Sequence, residues 1–214
     1  MRLVLPRLYV ILDAALITSP ERDCALHLAE AGVRLLQYRN KSTPTRQYLD
    51  SSRELAEALR PRGMTFLVND RPDVAFLAGA SGVHVGQEDL DVEQARSVAG
   101  QDKLVGVSTH NLEQFNKAAA STADYIAVGP LFSTTSKANS DPVVGLAFLR
   151  RVRGLTDKPI VGIGGISLDR AKSVIEAGAD SVAVISGVLS APNPSQSARQ
   201  YLEVLETAKH AAAY

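Results

Sequence analysis

The stretch Thr65 to Asp89, TFLVNDRPDVAFLAGASGVHVGQED, holds the logic of the chain in one repeat unit. Phe66-Leu67-Val68 is a short apolar run without alternation, the pattern of a strand buried on both faces. It runs into a polar pair, Asn69-Asp70. A helix-like segment follows from about Arg71 and stops at Leu77-Ala78-Gly79, where glycine ends the helix. A second apolar run, Val83-His84-Val85, then ends in Gln87-Glu88-Asp89. One strand, one helix and one more strand therefore place two polar clusters at the same end of a parallel pair.

The same unit recurs in both directions. Leu35-Leu36 leads to Gln37, Arg39 and Lys41, and Val105-Gly106-Val107 leads to Ser108-Thr109-His110. Ile126-Ala127-Val128 enters the loop Gly129 to Lys137, Ile160-Val161 leads to Gly164-Gly165, and Val182-Ala183-Val184 to Ser186-Gly187. Strands are expected at 8–12, 33–38, 65–69, 82–85, 104–107, 124–128, 160–163 and 181–184. Amphipathic helices are expected from Thr45 to Arg60 and from near Pro20, Arg71, Val92, Asn111, Leu168 and Ser195. Glu30-Ala31-Gly32 and Glu176-Ala177-Gly178 repeat the glycine stop.

Eight such strands alternating with helices predict the α/β class, as a single (β/α)8 TIM barrel domain over residues 1–214. No linker, low-complexity tract or shift in composition divides the chain. An open doubly wound sheet is the alternative. It would want G-x-G-x-x-G after the first strand, and Asp13-Ala14-Ala15 stands there instead.

Composition narrows the partners. The 214 residues carry 23 basic and 23 acidic side chains, so no charge surplus argues for nucleic acid or a membrane surface. Tryptophan is absent and aromatics are 5%, which argues against a base-stacking platform. The single Cys24 excludes an intramolecular disulfide and reads as a packed thiol. Strand-like sequence begins by Leu8, leaving no room for a signal peptide, and no apolar run approaches a membrane span of about 20 residues. The expectation is a cytoplasmic protein with small-molecule partners, self-association being left open.

The strand ends carry the chemistry. Gln37, Arg39 and Lys41 alternate at period two, so an extended backbone turns all three the same way. Two cations beside an amide suit a phosphate or a carboxylate, although a solvated strand end has the same composition. Asp70 and Asp89 follow adjacent strands, and hard oxygen ligands supplemented by water and phosphate are the Mg2+ style of site. Each could instead cap the helix that follows it. Thr109 or Asn111 reads as a cap, His110 as a surface residue or a functional one, and His84 as a packed, hydrogen-bonded ring.

The loop Gly129-Pro130-Leu131-Phe132-Ser133-Thr134-Thr135-Ser136-Lys137 has four consecutive hydroxyls and a cation, a composition able to close over an anion. Gly164-Gly165 and Ile185-Ser186-Gly187 fall where parallel barrels place a phosphate on backbone N–H groups. Two anion sites emerge. One is basic and Mg2+-assisted, suited to a diphosphate; the other is a neutral cradle suited to a monophosphate.

With these residues in view, the chain resembles the thiamine phosphate synthase family. The resemblance rests on Gln37-Tyr38-Arg39-Asn40-Lys41, on Asn69-Asp70-Arg71 with Asp73, and on Gly82 through Leu90. Gly106 to His110, the Gly129 to Lys137 loop, Ile163-Gly164-Gly165-Ile166 and Val184-Ile185-Ser186 complete it in order. It implies a barrel enzyme of thiamine biosynthesis that joins 4-amino-2-methyl-5-hydroxymethylpyrimidine diphosphate to a thiazole phosphate carboxylate. It implies Mg2+ on Asp70 and Asp89, and the pyrimidine diphosphate on Gln37, Arg39, Lys41, Asn69, Ser108 and Lys137. Arg39, Lys41 and Lys137 would carry catalysis. Thr134, Thr135, Ser136, Gly165, Ile185 and Ser186 would bind the thiazole phosphate.

Asn40, Ser133 and Ser136 depart from the family's usual acid, proline and threonine. Two other readings stand beside this one. A thiazole tautomerase-like barrel would use His110 as its acid/base group and need neither Mg2+ nor a diphosphate site. A non-catalytic phosphate-ligand sensor would bind without turnover.

Overall fold

The structure is a computed structural model that describes residues 3–133 and 141–209. Eight strands form one closed parallel barrel in chain order. They are β1 (Leu8–Asp13), β2 (Leu35–Arg39), β3 (Thr65–Asn69), β4 (Gly82–Val85), β5 (Leu104–Thr109), β6 (Tyr125–Val128), β7 (Ile160–Ile163) and β8 (Ser181–Val184). Closure is made by β1 against β8, with Tyr9 opposite Ala183. The helices are α1 (Glu21–Glu30), α2 (Thr45–Leu59), α3 (Pro72–Leu77), α4 (Val92–Ala99), α5 (Leu112–Ala120), α6 (Gly145–Arg153), α7 (Leu168–Glu176), α8 (Ser186–Leu189) and α9 (Pro194–Glu206).

The expected barrel is therefore the observed one, with three local differences. The second strand starts at Leu35, because the N–H of Val33 is spent on the carbonyl of Leu28 in closing α1. That strand continues to Arg39, so the strand itself sets the Gln37/Arg39 alternation. Helix α6 was not anticipated: Val144 offers no capping side chain and the helix opens on Gly145 at φ +74°, so its start carries no recognisable signal. The one-turn α8 is the short helix start expected after the eighth strand.

Expected stops and starts are otherwise found in place. Gly32 and Gly178 end their helices at φ +105° and +110°, values that an L-residue rarely adopts. Asp91 and Gln94 form a capping box on α4, and the Asn111 side chain accepts from the N–H of Gln114 at 2.9 Å to start α5.

Two apolar layers hold the barrel. Outside the strands, residues such as Leu28, Leu55, Phe115 and Val174 seal helices to sheet. Inside it, Tyr9, Ile11, Leu35, Leu67, Tyr125, Ala127, Val161 and Ala183 fill the lumen, so the barrel is a packed core rather than a pore. Each fully buried Leu, Ile or Val among them contributes about 1.5–3 kcal/mol. Gly106 makes room for one of them: a Cβ there would sit 2.0 Å from Cζ of Tyr125. Cys24 is buried on α1 and burial pushes its thiol up, as a packed thiol requires. Among the described residues, no helix is long and apolar enough to cross a membrane.

Candidate active site

All eight strands point their C-terminal ends at one rim, and two adjoining cavities open there. The first, about 920 Å³, lies over β2–β5 and is lined by Gln37, Arg39, Lys41, Asn69, Asp70 and Asp89 among others. The second, about 390 Å³, lies over β6–β8 and is lined by Gly129, Gly164, Gly165, Ile185, Ser186 and Gly187 among others. Ser108, His110, Asp141, Ile163 and Ile185 line both. The expected residues thus fall into the two expected groups, and Ser108 and Ile185 stand at the seam. Thr134, Thr135, Ser136 and Lys137 lie outside the described residues.

The larger cavity is built from charged side chains that other side chains hold in place. Arg39 is ion-paired through Nη1 to Asp13, and both are largely buried. Asp13 also accepts the N–H of Ala15 at 3.1 Å, so it is braced before it braces Arg39. Removing one partner of a buried pair strands the other charge. Lys41 Nζ stands 3.1 Å from an Asp70 carboxylate oxygen. Asp13 was missed as a site residue, although a lone carboxylate ending the first strand was its signal.

Neither Asp70 nor Asp89 caps a helix. Arg71 precedes α3 without a side-chain cap, and α4 is capped by Asp91. Asp70 instead sits at φ +63°, the one described non-glycine residue with positive φ. The N–H of Arg71 reaches back to the carbonyl of Asn69 at 2.8 Å across it. Such a tight three-residue turn costs on the order of 1–3 kcal/mol and persists where its surroundings enforce it. Its product here is a carboxylate aimed at Asp89.

Asp89 accepts the N–H of Gly86 at 2.7 Å. Burial, and then the nearby Asp70 carboxylate, raise its pKa against the opposing pull of that hydrogen bond. Two facing carboxylates, with Lys41 beside one of them, offer hard oxygen ligands to a cation. Among the described residues no third His, Cys, Asp or Glu joins them. Two protein oxygens with room for water and phosphate fit Mg2+ better than a zinc-type cage.

The smaller cavity is built from backbone. Gly164 and Gly165 lie at φ +96° and +63°, and a Cβ on Gly165 would sit 2.3 Å from the carbonyl oxygen of Ser133. Glycine is needed so that the β6 loop can lie on the β7 loop, where the N–H of Phe132 bonds the carbonyl of Gly164 at 3.0 Å. Arg170 stiffens the pair from outside, donating to the carbonyl of Gly165 at 3.1 Å and stacking on Phe132 at 4.8 Å.

At the seam, Nδ1 of His110 donates to the carbonyl of Gly129 at 2.6 Å and Nε2 faces Asp141 at 3.4 Å. Gln87 donates to the backbone carbonyl of Ser108 at 2.6 Å. His84 is the packed ring expected, bonded to Tyr125 and to the Ser108 hydroxyl.

Fold and rim together define a parallel-barrel enzyme with a charged pocket and a backbone-lined pocket meeting at one seam. A family model described as thiamine monophosphate synthase matches residues 8–188. The thiamine-phosphate synthase of Koribacter versatilis is 52% identical over 211 residues, covering 96% of this chain and 98% of that protein. That of Chloroflexus aurantiacus is 43% identical, covering 91% and 90%. The solved thiamine phosphate pyrophosphorylase from Pyrococcus furiosus superimposes with a TM-score of 0.85 at 33% identity, covering 94% of this chain and 95% of that one. The chain belongs to the thiamine monophosphate synthase family, and it is a diphosphate-releasing transferase of thiamine biosynthesis.

Proposed function

We propose that this enzyme couples 4-amino-2-methyl-5-hydroxymethylpyrimidine diphosphate to a thiazole phosphate carboxylate, giving thiamine phosphate, diphosphate and CO2. The observation that carries this reading is the pairing of two unlike pockets across one seam. A cation-rich pocket with two acids suits a diphosphate with its metal, and a pocket of glycines and small residues, with the His110–Asp141 pair confined to its seam, suits a monophosphate. The pyrimidine diphosphate would lie on Gln37, Arg39, Lys41, Asn69 and Ser108, with Lys137 as a further cation. The thiazole phosphate would lie on Gly165, Ile185 and Ser186, with Thr134, Thr135 and Ser136.

Mg2+ held by Asp70 and Asp89 would supply positive charge to the diphosphate. The remaining work belongs to the chain. Arg39, fixed by Asp13, and Lys41, held beside Asp70, face the leaving group before charge develops on it, so little reorganisation is needed during the reaction. The C–O bond to diphosphate breaks and leaves a pyrimidinylmethyl cation that its amino-substituted ring stabilises. The thiazole nitrogen then forms the new C–N bond, and loss of CO2 restores the aromatic ring. Ile163 and Ile185, which line both cavities beside Ser108, His110 and Asp141, give the seam an apolar side on which that cation would be screened from water. Holding both reactants across one seam makes capture effectively unimolecular. We place this chemistry in the cytoplasm.

The test mixes the protein with both substrates and Mg2+ and measures diphosphate and thiamine phosphate together. Equal amounts of the two, abolished by EDTA, are expected. Absence of both products, with metal-independent isomerisation of the thiazole carboxylate, would overturn the reading and make His110 the residue to mutate.

A further inference from the structure

Beneath the two pockets runs a chain of buried side-chain hydrogen bonds that the coupling chemistry does not use. The Gln37 amide nitrogen meets the Tyr9 hydroxyl. The Tyr9 and Tyr125 hydroxyls lie 3.1 Å apart. Tyr125 Oη is 2.8 Å from Nδ1 of His84, and Nε2 of His84 is 2.9 Å from Oγ of Ser108. All five residues are buried. The chain crosses the lumen from β2 through β1, β6 and β4 to β5, and it begins and ends on residues that line the charged pocket.

A hydroxyl has one proton, so such a chain has a direction. If the Gln37 N–H2 group donates to Tyr9, then Tyr9 must give its proton to Tyr125, and Tyr125 must give its own to Nδ1 of His84. Nε2 of His84 then carries the ring proton and donates to Ser108. The Ser108 hydroxyl proton is left to point out of the core. The order can be reversed from either end, by the Ser108 hydroxyl donating inward or by the Gln37 amide turning over, and of the two ends Gln37 is the one beside fixed charges.

Electrostatics chooses between the two. Arg39 and Lys41 line the same pocket, so the Gln37 carbonyl oxygen belongs on their side and its N–H2 group on the side of Tyr9. Both tyrosines keep their protons, because burial pushes their pKa values well above the usual phenol range.

We propose that Gln37, Tyr9, Tyr125, His84 and Ser108 form one directional hydrogen-bond chain. In it the Gln37 amide dictates which nitrogen of His84 carries the proton and so turns the Ser108 hydroxyl outward as a donor. Tyr9, Tyr125 and His84 are positioning residues, and none of them needs to touch substrate. The substrate atom above Ser108 must then be a hydrogen-bond acceptor. That last step rests on the pyrimidine lying over Ser108; the rest of the chain does not.

The test is nitrogen-15 NMR of ligand-free protein labelled at its four histidines, with His84→Asn identifying the signal. Wild type is expected to show His84 protonated at Nε2 alone. Gln37→Glu presents only an acceptor, held ionised by Arg39 and Lys41, and is expected to move the proton to Nδ1. Tyr9→Phe cuts the chain and is expected to leave a mixture of both forms. A wild-type ring protonated at Nδ1, or an unchanged ring in both variants, would overturn the proposal. Should Gln37→Glu fail to fold, wild type and Tyr9→Phe still decide it. In turnover, Tyr9→Phe and Ser108→Ala should each raise the KM for the pyrimidine diphosphate about fivefold, and their combination no further. Full additivity with normal spectra would overturn only the link to substrate.

Discussion

The two halves of the rim solve one problem, holding an anion, with different materials. Over β2–β4 the holders are long charged side chains, each fixed by another group: Arg39 by Asp13, Lys41 by Asp70, Asp89 by the Gly86 amide. Over β6–β8 they are loops of glycine and small residues whose shape is set by loop-on-loop bonds such as Leu131 N–H to Ile163 carbonyl at 2.9 Å. A side-chain site can be weakened one charge at a time with its backbone intact. A backbone site can be altered only by disturbing the path of the chain, so its variants should act through shape.

The largest effect should come from the charged half. Asp70→Asn keeps a residue type that tolerates positive φ and removes the charge, and Asp89→Asn keeps an acceptor for Gly86. Each should lower kcat/KM by on the order of 10³-fold, comparable with losing a preorganised charge stabiliser. The Mg2+ concentration for half-maximal rate should rise in both. The same Asp89→Asn variant should raise the melting temperature of metal-free protein at neutral pH. The Asp89 carboxyl has a folded pKa above its unfolded one, so the native state binds more protons in the window between them. Wild-type stability therefore falls as pH rises through that window. The Asn variant lacks this loss, and its advantage should close on acidification. An Asp89→Asn variant that loses activity and also melts lower at neutral pH would contradict this account of a buried carboxylate facing Asp70.

Lys137→Ala comes next, with an expected loss on the order of 10²-fold in kcat and an unchanged melting temperature. Unchanged turnover would remove Lys137 from the charged half and leave Arg39 and Lys41 to carry the leaving group alone.

The unequal legibility of the halves in the sequence follows from the same difference. Polar and charged residues at strand ends are conspicuous, so Gln37, Arg39, Lys41, Asp70 and Asp89 could be singled out in the sequence, with a solvated strand end and helix caps as the alternatives. The eight strands were legible because parallel strands buried on both faces leave unbroken Val, Ile and Leu runs. Gly164-Gly165 was ambiguous: the sequence cannot distinguish glycines that face a ligand from glycines that let two loops touch, and here the loop contact is demonstrable. Asp13 was marked only by its place at the end of the first strand, and Asp141 was not marked at all. Their roles depend on Arg39 and His110, which stand 26 and 31 positions away and meet them only in the folded barrel, Asp13 by the pairing of β1 with β2. Helix α6 lacked a cap to mark it.

Gly165→Ala is the test of the backbone half. The new methyl meets the Ser133 carbonyl and demands φ +63° of an L-residue, a strain of about 1–3 kcal/mol. Relieving it would push the β6 and β7 loops apart and widen the cradle. The expected result is about a tenfold rise in the KM for the thiazole phosphate, with the KM for the pyrimidine diphosphate little changed. Equal rises in both would mean that the seam, rather than the cradle, had moved, and the separation of the halves would fail.

The smallest effect should come from Arg170→Ala, which probes whether the backbone half needs outside support. Arg170 is exposed and touches neither cavity lining except through the Gly165 carbonyl and the Phe132 ring. A surface hydrogen bond and an exposed cation–π contact are each worth about 0.5–1 kcal/mol. The expected result is a three- to fivefold rise in the KM for the thiazole phosphate, about 1 kcal/mol, with kcat unaltered, since no reacting atom is involved. Added salt should shrink the gap, because the contact is solvent-facing. If kcat falls instead, Arg170 supports more than the shape of the cradle. If nothing changes, the bonds between the β6 and β7 loops hold the cradle unaided, and the backbone half is the more self-sufficient of the two.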